Sequence, residues 1–181
     1  MISSWFLDIV SSVTLTSGRS AEVVSVTELA VGSKTFVDRG ATFDKMGNYP
    51  NTCFFIRGPN DDKSTLPNLV QTTIKTRFPS TIYLDFWGGQ RHIDIVSASW
   101  IRDWNDASDA MPTTFGINGP GKVIKQNFEA GTINLMGNNG NGHGTYYAFV
   151  CPRGNMLSQF IMQTDIISTS IKTCLLLNIE I

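Results

Sequence analysis

Charge is scarce in this 181-residue sequence: only 16% of residues are Asp, Glu, Lys or Arg, and the formal net charge is −1. No long-range field steers such a chain onto nucleic acid or an anionic membrane, so neither is expected as a partner. Long apolar runs are also lacking, and no stretch reaches the length needed to span a bilayer. The opening residues, MISSWFLDIVSSV, have no basic start, and Asp8 interrupts their apolar run, so they do not read as a signal peptide. There is no N-x-Ser/Thr sequon, and glycosylation therefore gives no argument for secretion. The two histidines, His92 and His143, sit near glycines and belong to no zinc pattern or nucleophile elbow. Cysteines number three, Cys53, Cys151 and Cys174, at spacings that fit no metal site. One disulfide with an odd thiol and three buried thiols are equally open readings.

What the sequence does contain points to an all-β fold. Sixteen glycines, eleven phenylalanines and many Ser and Thr residues, with few helix-favouring runs, suit short strands and tight turns. The length suits one domain with a proper core. Short strand-like segments, some alternating and 53–57 strongly apolar, at residues 8–16, 22–27, 35–38, 53–57, 71–76, 82–87, 122–128, 132–136 and 145–150 are separated by Gly, Pro, Asn and Asp clusters. Roughly nine short strands predict an antiparallel β-sandwich, jelly-roll-like. Residues 97–105 are the one place for a helical turn of any size. Residues 137–144, GNNGNGHG, read as a hairpin-type connection. Residues 1–20 are expected as an N-terminal strand or linker, 21–151 as the sandwich and 152–181 as a tail or extra strands. That last segment ends CLLLNIEI, of high β propensity and one charge; removal of residues 155–181 is expected to leave the domain folded.

Residues 82–104, IYLDFWGGQRHIDIVSASWIRDW, hold three of the four tryptophans. Ile82, Leu84 and Phe86 alternate with Tyr83, Asp85 and Trp87, so one face is apolar and predicted to meet the core. Gly88-Gly89 then opens a loop carrying Gln90, Arg91 and His92, and Arg102 and Asp103 lie between Trp100 and Trp104. Sugars present apolar C–H faces ringed by hydroxyls, so a receptor needs exposed aromatic faces edged by planar polar groups. Tyr83, Asp85, Trp87, Gln90, Arg91, Trp100 and Arg102 are the candidate ligand-binding residues, with Trp104 beside them. The competing reading is that these tryptophans are core wedges.

Four segments in order carry a family resemblance: FVDRGATF at 36–43, IRGPNDDK at 56–63, IYLDFW at 82–87 with Trp100-Ile101 downstream, and FEAGTINLMGN at 128–138. In this, residues 20–150 resemble a recurring accessory module of secreted, mostly microbial multidomain proteins that act on polysaccharides or sit at cell surfaces. The chain departs from that pattern where Trp87 and Gly88 replace an Asp and in a longer loop before Trp100. The resemblance implies a non-catalytic β-sandwich that engages a polysaccharide or glycan, is extracellular or at the cell surface, and is joined to other domains of a longer parent protein. The alternative is a structural or protein-interaction spacer whose aromatics are all core.

Metal and catalytic chemistry find less footing. The Asn60-Asp61-Asp62-Lys63 turn has hard oxygen ligands of the kind calcium takes, but no further carboxylate stands at a suitable spacing. Asn60 and Asp61 are better read as turn formers bonding their own backbone, and Asp38-Arg39 as a structural ion pair or turn; no cofactor is expected. Asp85, Asp94, Asp103 and Asp106 offer carboxylates for glycoside hydrolysis, yet nothing in their spacing selects a pair. The glycine-rich stretch at 137–144 carries no GK[ST] and opens no helix, which argues against phosphate cradling.

Overall fold

The structure, a computed structural model, describes residues 9–86, 100–107, 122–140 and 144–154. These residues form nine strands: β1 (Val10–Leu15), β2 (Glu22–Ser25), β3 (Phe54–Arg57), β4 (Val70–Thr76), β5 (Ser80–Phe86), β6 (Asn105–Asp106), β7 (Lys122–Phe128), β8 (Gly131–Met136) and β9 (Tyr147–Pro152). Every pairing is antiparallel. They make a three-stranded sheet of order β1-β4-β8 and a six-stranded sheet of order β2-β3-β9-β5-β7-β6. The all-β sandwich read from the strand pattern is the fold of the chain. Among the described residues no helix is long and apolar enough to cross a membrane.

The core follows from the two-residue period of the strands. Ile82, Leu84 and Phe86 on β5 point between the sheets, as expected, and meet Ile74 of β4 and Ile133 and Leu135 of β8. Each such side chain, removed from water, stabilises the fold by about 1.5–3 kcal/mol. The other face of the large sheet is buried as well. The segment joining β2 to β3, residues 26–53, runs across that face and plugs it with Phe36, Phe43, Tyr49 and Cys53. They pack on Phe55, Tyr83, Tyr147 and Phe149, so the central strands β9 and β5 are covered on both sides. The molecule is therefore three layers: small sheet, large sheet and an irregular cover.

Several elements differ from the sequence reading for identifiable reasons. Residues 35–38 alternate like a strand, but Phe36 turns down into the aromatic layer, and the only ladder contact there is an isolated bridge between Lys34 and Thr42. Asn105 and Asp106, polar enough to suggest a loop, pair with Lys125 and Ile124 as the short edge strand β6. The strands on either side of 137–144, β8 and β9, lie in different sheets and so are not a hairpin pair, although Leu135 and Val150 share the same inter-sheet core. A helical turn expected within 97–105 is, over its described part, a plain turn at 101–104 closed by Trp104 N–H donating to the Ile101 carbonyl at 3.1 Å.

Cys53 and Cys151 form a disulfide across the neighbouring strands β3 and β9. Cys174 lies outside the described residues.

Candidate functional site

The expected site divides into three parts. Trp87, Gln90 and Arg91 lie outside the described residues. Tyr83 and Asp85 are placed on the covered face of the large sheet, 9% and 0% exposed. Their alternation was legible; the cover over that face was not. Tyr49, from the covering segment, lays its ring on Phe149 with centroids 3.8 Å apart and donates its hydroxyl to Asp85 Oδ2 at 3.2 Å. Burial pushes the Tyr49 hydroxyl well above its ordinary value near 10, and the Asp85 carboxylate beside it adds to the rise. Tyr83 meets the Tyr49 ring edge-on and receives Lys125 Nζ over its own ring at 5.7 Å. This is a buried supporting wall beneath the end of β5.

Trp100, Arg102 and Trp104 form the third part. Trp100 stands near the end of the sandwich where β5 and β8 finish and β4, β7 and β9 begin, by Gly137 and Tyr146, while Trp104 lies farther along the β6 edge, against Phe128 at the end of β7. Trp100 and Trp104 are half-buried and meet edge-to-face, centroids 5.5 Å apart. Trp100 also touches Tyr146 and Trp104 touches Phe128, which anchors the pair to the core. The indole Nε1–H of Trp100 donates to the Gly137 carbonyl at 3.0 Å. Arg102 and Asp103, on the turn between the indoles, are exposed. The arrangement offers partly covered aromatic faces with charged groups at their edge, the combination that sugar recognition needs.

Gly137 organises this end. Its N–H donates to the Leu69 carbonyl at 2.9 Å while its own carbonyl takes the Trp100 indole. A Cβ there would stand 2.1 Å from the Thr65 carbonyl oxygen, so the approach of the 65–69 turn demands glycine. Asn139 N–H donates to the Thr65 carbonyl at 2.9 Å, and the buried Asn138 side chain donates to the Gly144 carbonyl at 3.1 Å. The turn thus held presents Leu66 and Leu69, 48% and 52% exposed. Sequence reasoning missed these two leucines. The signal was there in Leu66-Pro67-Asn68-Leu69, two large apolar residues on a turn that has no strand to bury them.

The acidic turn is a structural knot. Asp38 carboxylate oxygens accept the backbone N–H groups of Asn60 and Asp61 at 2.8 and 3.1 Å, capping the 3-10 turn Asn60–Ser64. The cap therefore comes from the covering segment, where the sequence suggested that Asn60 and Asp61 bond their own backbone. Arg39 pairs with Asp61. Asp62 is buried at 3% exposure and accepts from Arg19 at 2.6 Å and from Ser17 at 2.9 Å. Each carboxylate already answers a cation, a hydroxyl or an N–H. Among the described residues no group of three His, Cys, Asp or Glu is placed to hold a metal ion. Of the carboxylates weighed for hydrolysis, Asp85 pairs with Val123 and Asp106 with Ile124, which puts them on opposite faces of the sheet. Asp106 is also matched by Lys122 at 3.1 Å, and Asp94 lies outside the described residues.

No family model and no curated protein matches the chain. Among solved structures its fold is similar to part of a β-glucuronidase from glycoside hydrolase family 2, with a TM-score of 0.58 at 18% identity, covering 78% of this chain and 14% of that one. A family 138 glycoside hydrolase targeting pectin rhamnogalacturonan II is similar at a TM-score of 0.47 and 11% identity, over 80% of this chain and 16% of that one. The chain thus spans a small fraction of either enzyme, and at these identities the likeness is one of fold.

Proposed function

We propose that this chain is a non-catalytic carbohydrate-binding accessory domain of a larger secreted or cell-surface protein, with its glycan site around the Trp100–Trp104 pair. The observation that carries the proposal is the tryptophan pair, held half-buried by the core and the Gly137 carbonyl, with Arg102 and Asp103 exposed at its edge. The likeness of fold to a 14% portion of a β-glucuronidase supports a module rather than a whole enzyme. The Cys53–Cys151 disulfide supports an oxidising compartment. In this reading Trp87, Gln90 and Arg91, which follow directly on β5, join Trp100 and Arg102 as ligand contacts. Tyr83 and Asp85 serve them from below, by fixing the strand from which they emerge.

A second reading, a protein-interaction spacer, is favoured by the exposed Leu66 and Leu69 beside the tryptophans. A glycan array probed with the intact chain, followed by titration of the polysaccharide retained, separates the two. Trp87→Ala is expected to weaken binding at least ~10-fold, about 1.4 kcal/mol, with little change in thermal midpoint. Trp100→Ala is expected to lower both affinity and midpoint, since its indole also packs and donates. A folded protein that retains no glycan would overturn the proposal in favour of the spacer. Unchanged binding with a large fall in midpoint for Trp87→Ala would make that residue core.

A further inference from the structure

Strand β4 breaks its alternation near its start. Val70 pairs with Met136 and Thr72 with Leu135, which leaves Gln71 as an extra residue with no counterpart on β8. A bulge of this kind re-aims a side chain, and Gln71 and Thr72 are buried in succession where a regular strand would expose one of them. The Gln71 side chain is thereby turned inward and is only 6% exposed. Its Nε2 donates to Thr145 Oγ1 at 2.9 Å, but its Oε1 has no hydrogen-bond partner among the described groups. Rotating the amide does not cure this, because Oε1 would then take the Thr145 hydroxyl and the two N–H donors would be stranded instead.

The amide borders a cavity of about 20 Å³, whose wall also includes Leu15, Thr35, Asp62, Thr72 and Tyr146. A water needs roughly 10–15 Å³ of such space and two to four polar partners. A sugar ring is far too large. The polar wall is contributed by four separate parts of the fold: Gln71 and Thr72 by the small sheet, Thr35 by the cover, Asp62 by the capped turn and Thr145 by the residues leading into β9.

We infer that this cavity is a hydration site, in which one ordered water donates to Gln71 Oε1 and bridges it to the Thr35 hydroxyl and the Asp62 carboxylate. The water completes the amide that the bulge has turned inward. It also ties small sheet, cover and capped turn together. The bulge, the orphaned oxygen and the fitting volume are independent of the glycan reading.

The deciding experiment is water-selective nuclear Overhauser spectroscopy on the folded chain. A bound water with a residence time beyond nanoseconds is expected to give cross-peaks to the Gln71 side-chain amide protons and the Thr145 methyl group. Absence of those cross-peaks overturns the site. In Gln71→Leu the cross-peak to the Thr145 methyl should vanish; its persistence would mean that the amide does not hold the water. Gln71→Met, closer in shape, is the second variant should leucine prevent folding, and the same loss is expected. A crystal structure fine enough to order solvent should place one peak within hydrogen-bond distance of Gln71 Oε1, and a dry cavity would overturn the inference.

Discussion

Tyr49, Tyr146 and Tyr147 are all buried, and burial raises each hydroxyl above its ordinary value near 10. The consequence has a definite sign. A tyrosine whose pKa is higher folded than unfolded keeps its proton in the fold after the unfolded chain has lost it. Its contribution is therefore whole below pH ~10 and is lost as pH rises toward the folded value. Stability is expected to be flat through neutral pH and then to fall above pH ~10 by about 1.4 kcal/mol per pH unit for each of the three. Thermal midpoints measured from pH 8 to 12 read this directly. Tyr49→Phe should cost about 1–3 kcal/mol at neutral pH, because Asp85 loses a donor inside the protein, and should make the alkaline decline shallower by one residue's share. An unchanged decline would mean that Tyr49 already ionises freely in the fold. At the same scale, Asp38, Arg39, Asp61, Gly137 and Asn138 each serve the architecture, through capping, pairing, close approach or loop closure.

The strands themselves were the legible elements, because β-period alternation is local. β1, β5, β7 and β8 lie where apolar and polar residues alternate, β3 lies in a short apolar run, and the inward set of β5 is the one the alternation chose. What could not be read locally was which strands share a sheet. Residues 129–131 and 137–144 look like hairpin turns, but each changes sheets, and only the partner across the core decides that. The cover over Tyr83 and Asp85 was hidden for a related reason. Phe36, Phe43 and Tyr49 are spaced too irregularly to announce a face, and they act as single plugs. Of the candidate site, the Trp100–Trp104 pair was visible as aromatic density, whereas its dependence on Gly137 was not. That dependence is testable at the level of the loop. Gly137→Ala should force the 65–69 turn away from β8, lowering the thermal midpoint and any glycan affinity together, since its Cβ meets backbone. Gly40→Ala, where a Cβ meets nothing within 4 Å, should change stability by no more than about 0.5 kcal/mol. Equal effects at the two glycines would show that the loop end yields, and that Gly137 does not organise it.

For the whole molecule the disulfide is the long-range tie, joining residues 98 apart in sequence. A loop of that size restricts the unfolded chain by up to about 4.7 kcal/mol, and removal of a native disulfide typically costs about 2–5 kcal/mol. The double variant Cys53→Ser, Cys151→Ser should unfold at a midpoint roughly 4–20 °C lower; a shift of only a degree or two would mean that the bond adds nothing the sheet does not already supply. Removal of residues 155–181 is proposed to leave a cooperative domain, because β9, the last described strand, already has β3 on one side and β5 on the other. A truncated chain that melts without a transition would make that segment integral. The same position of β9 bears on how the protein is made. Strands leave the ribosome in sequence order, yet the ninth is the one that sits between the third and the fifth. Until Tyr147–Pro152 emerges, the β2–β3 pair and the β5–β7–β6 ribbon share no ladder, and each carries an open edge of apolar strand. The large sheet therefore cannot close during synthesis, and neither can the bond between Cys53 and Cys151. The nascent chain waits, with two unpaired edges, for a keystone that is the ninth of the nine described strands.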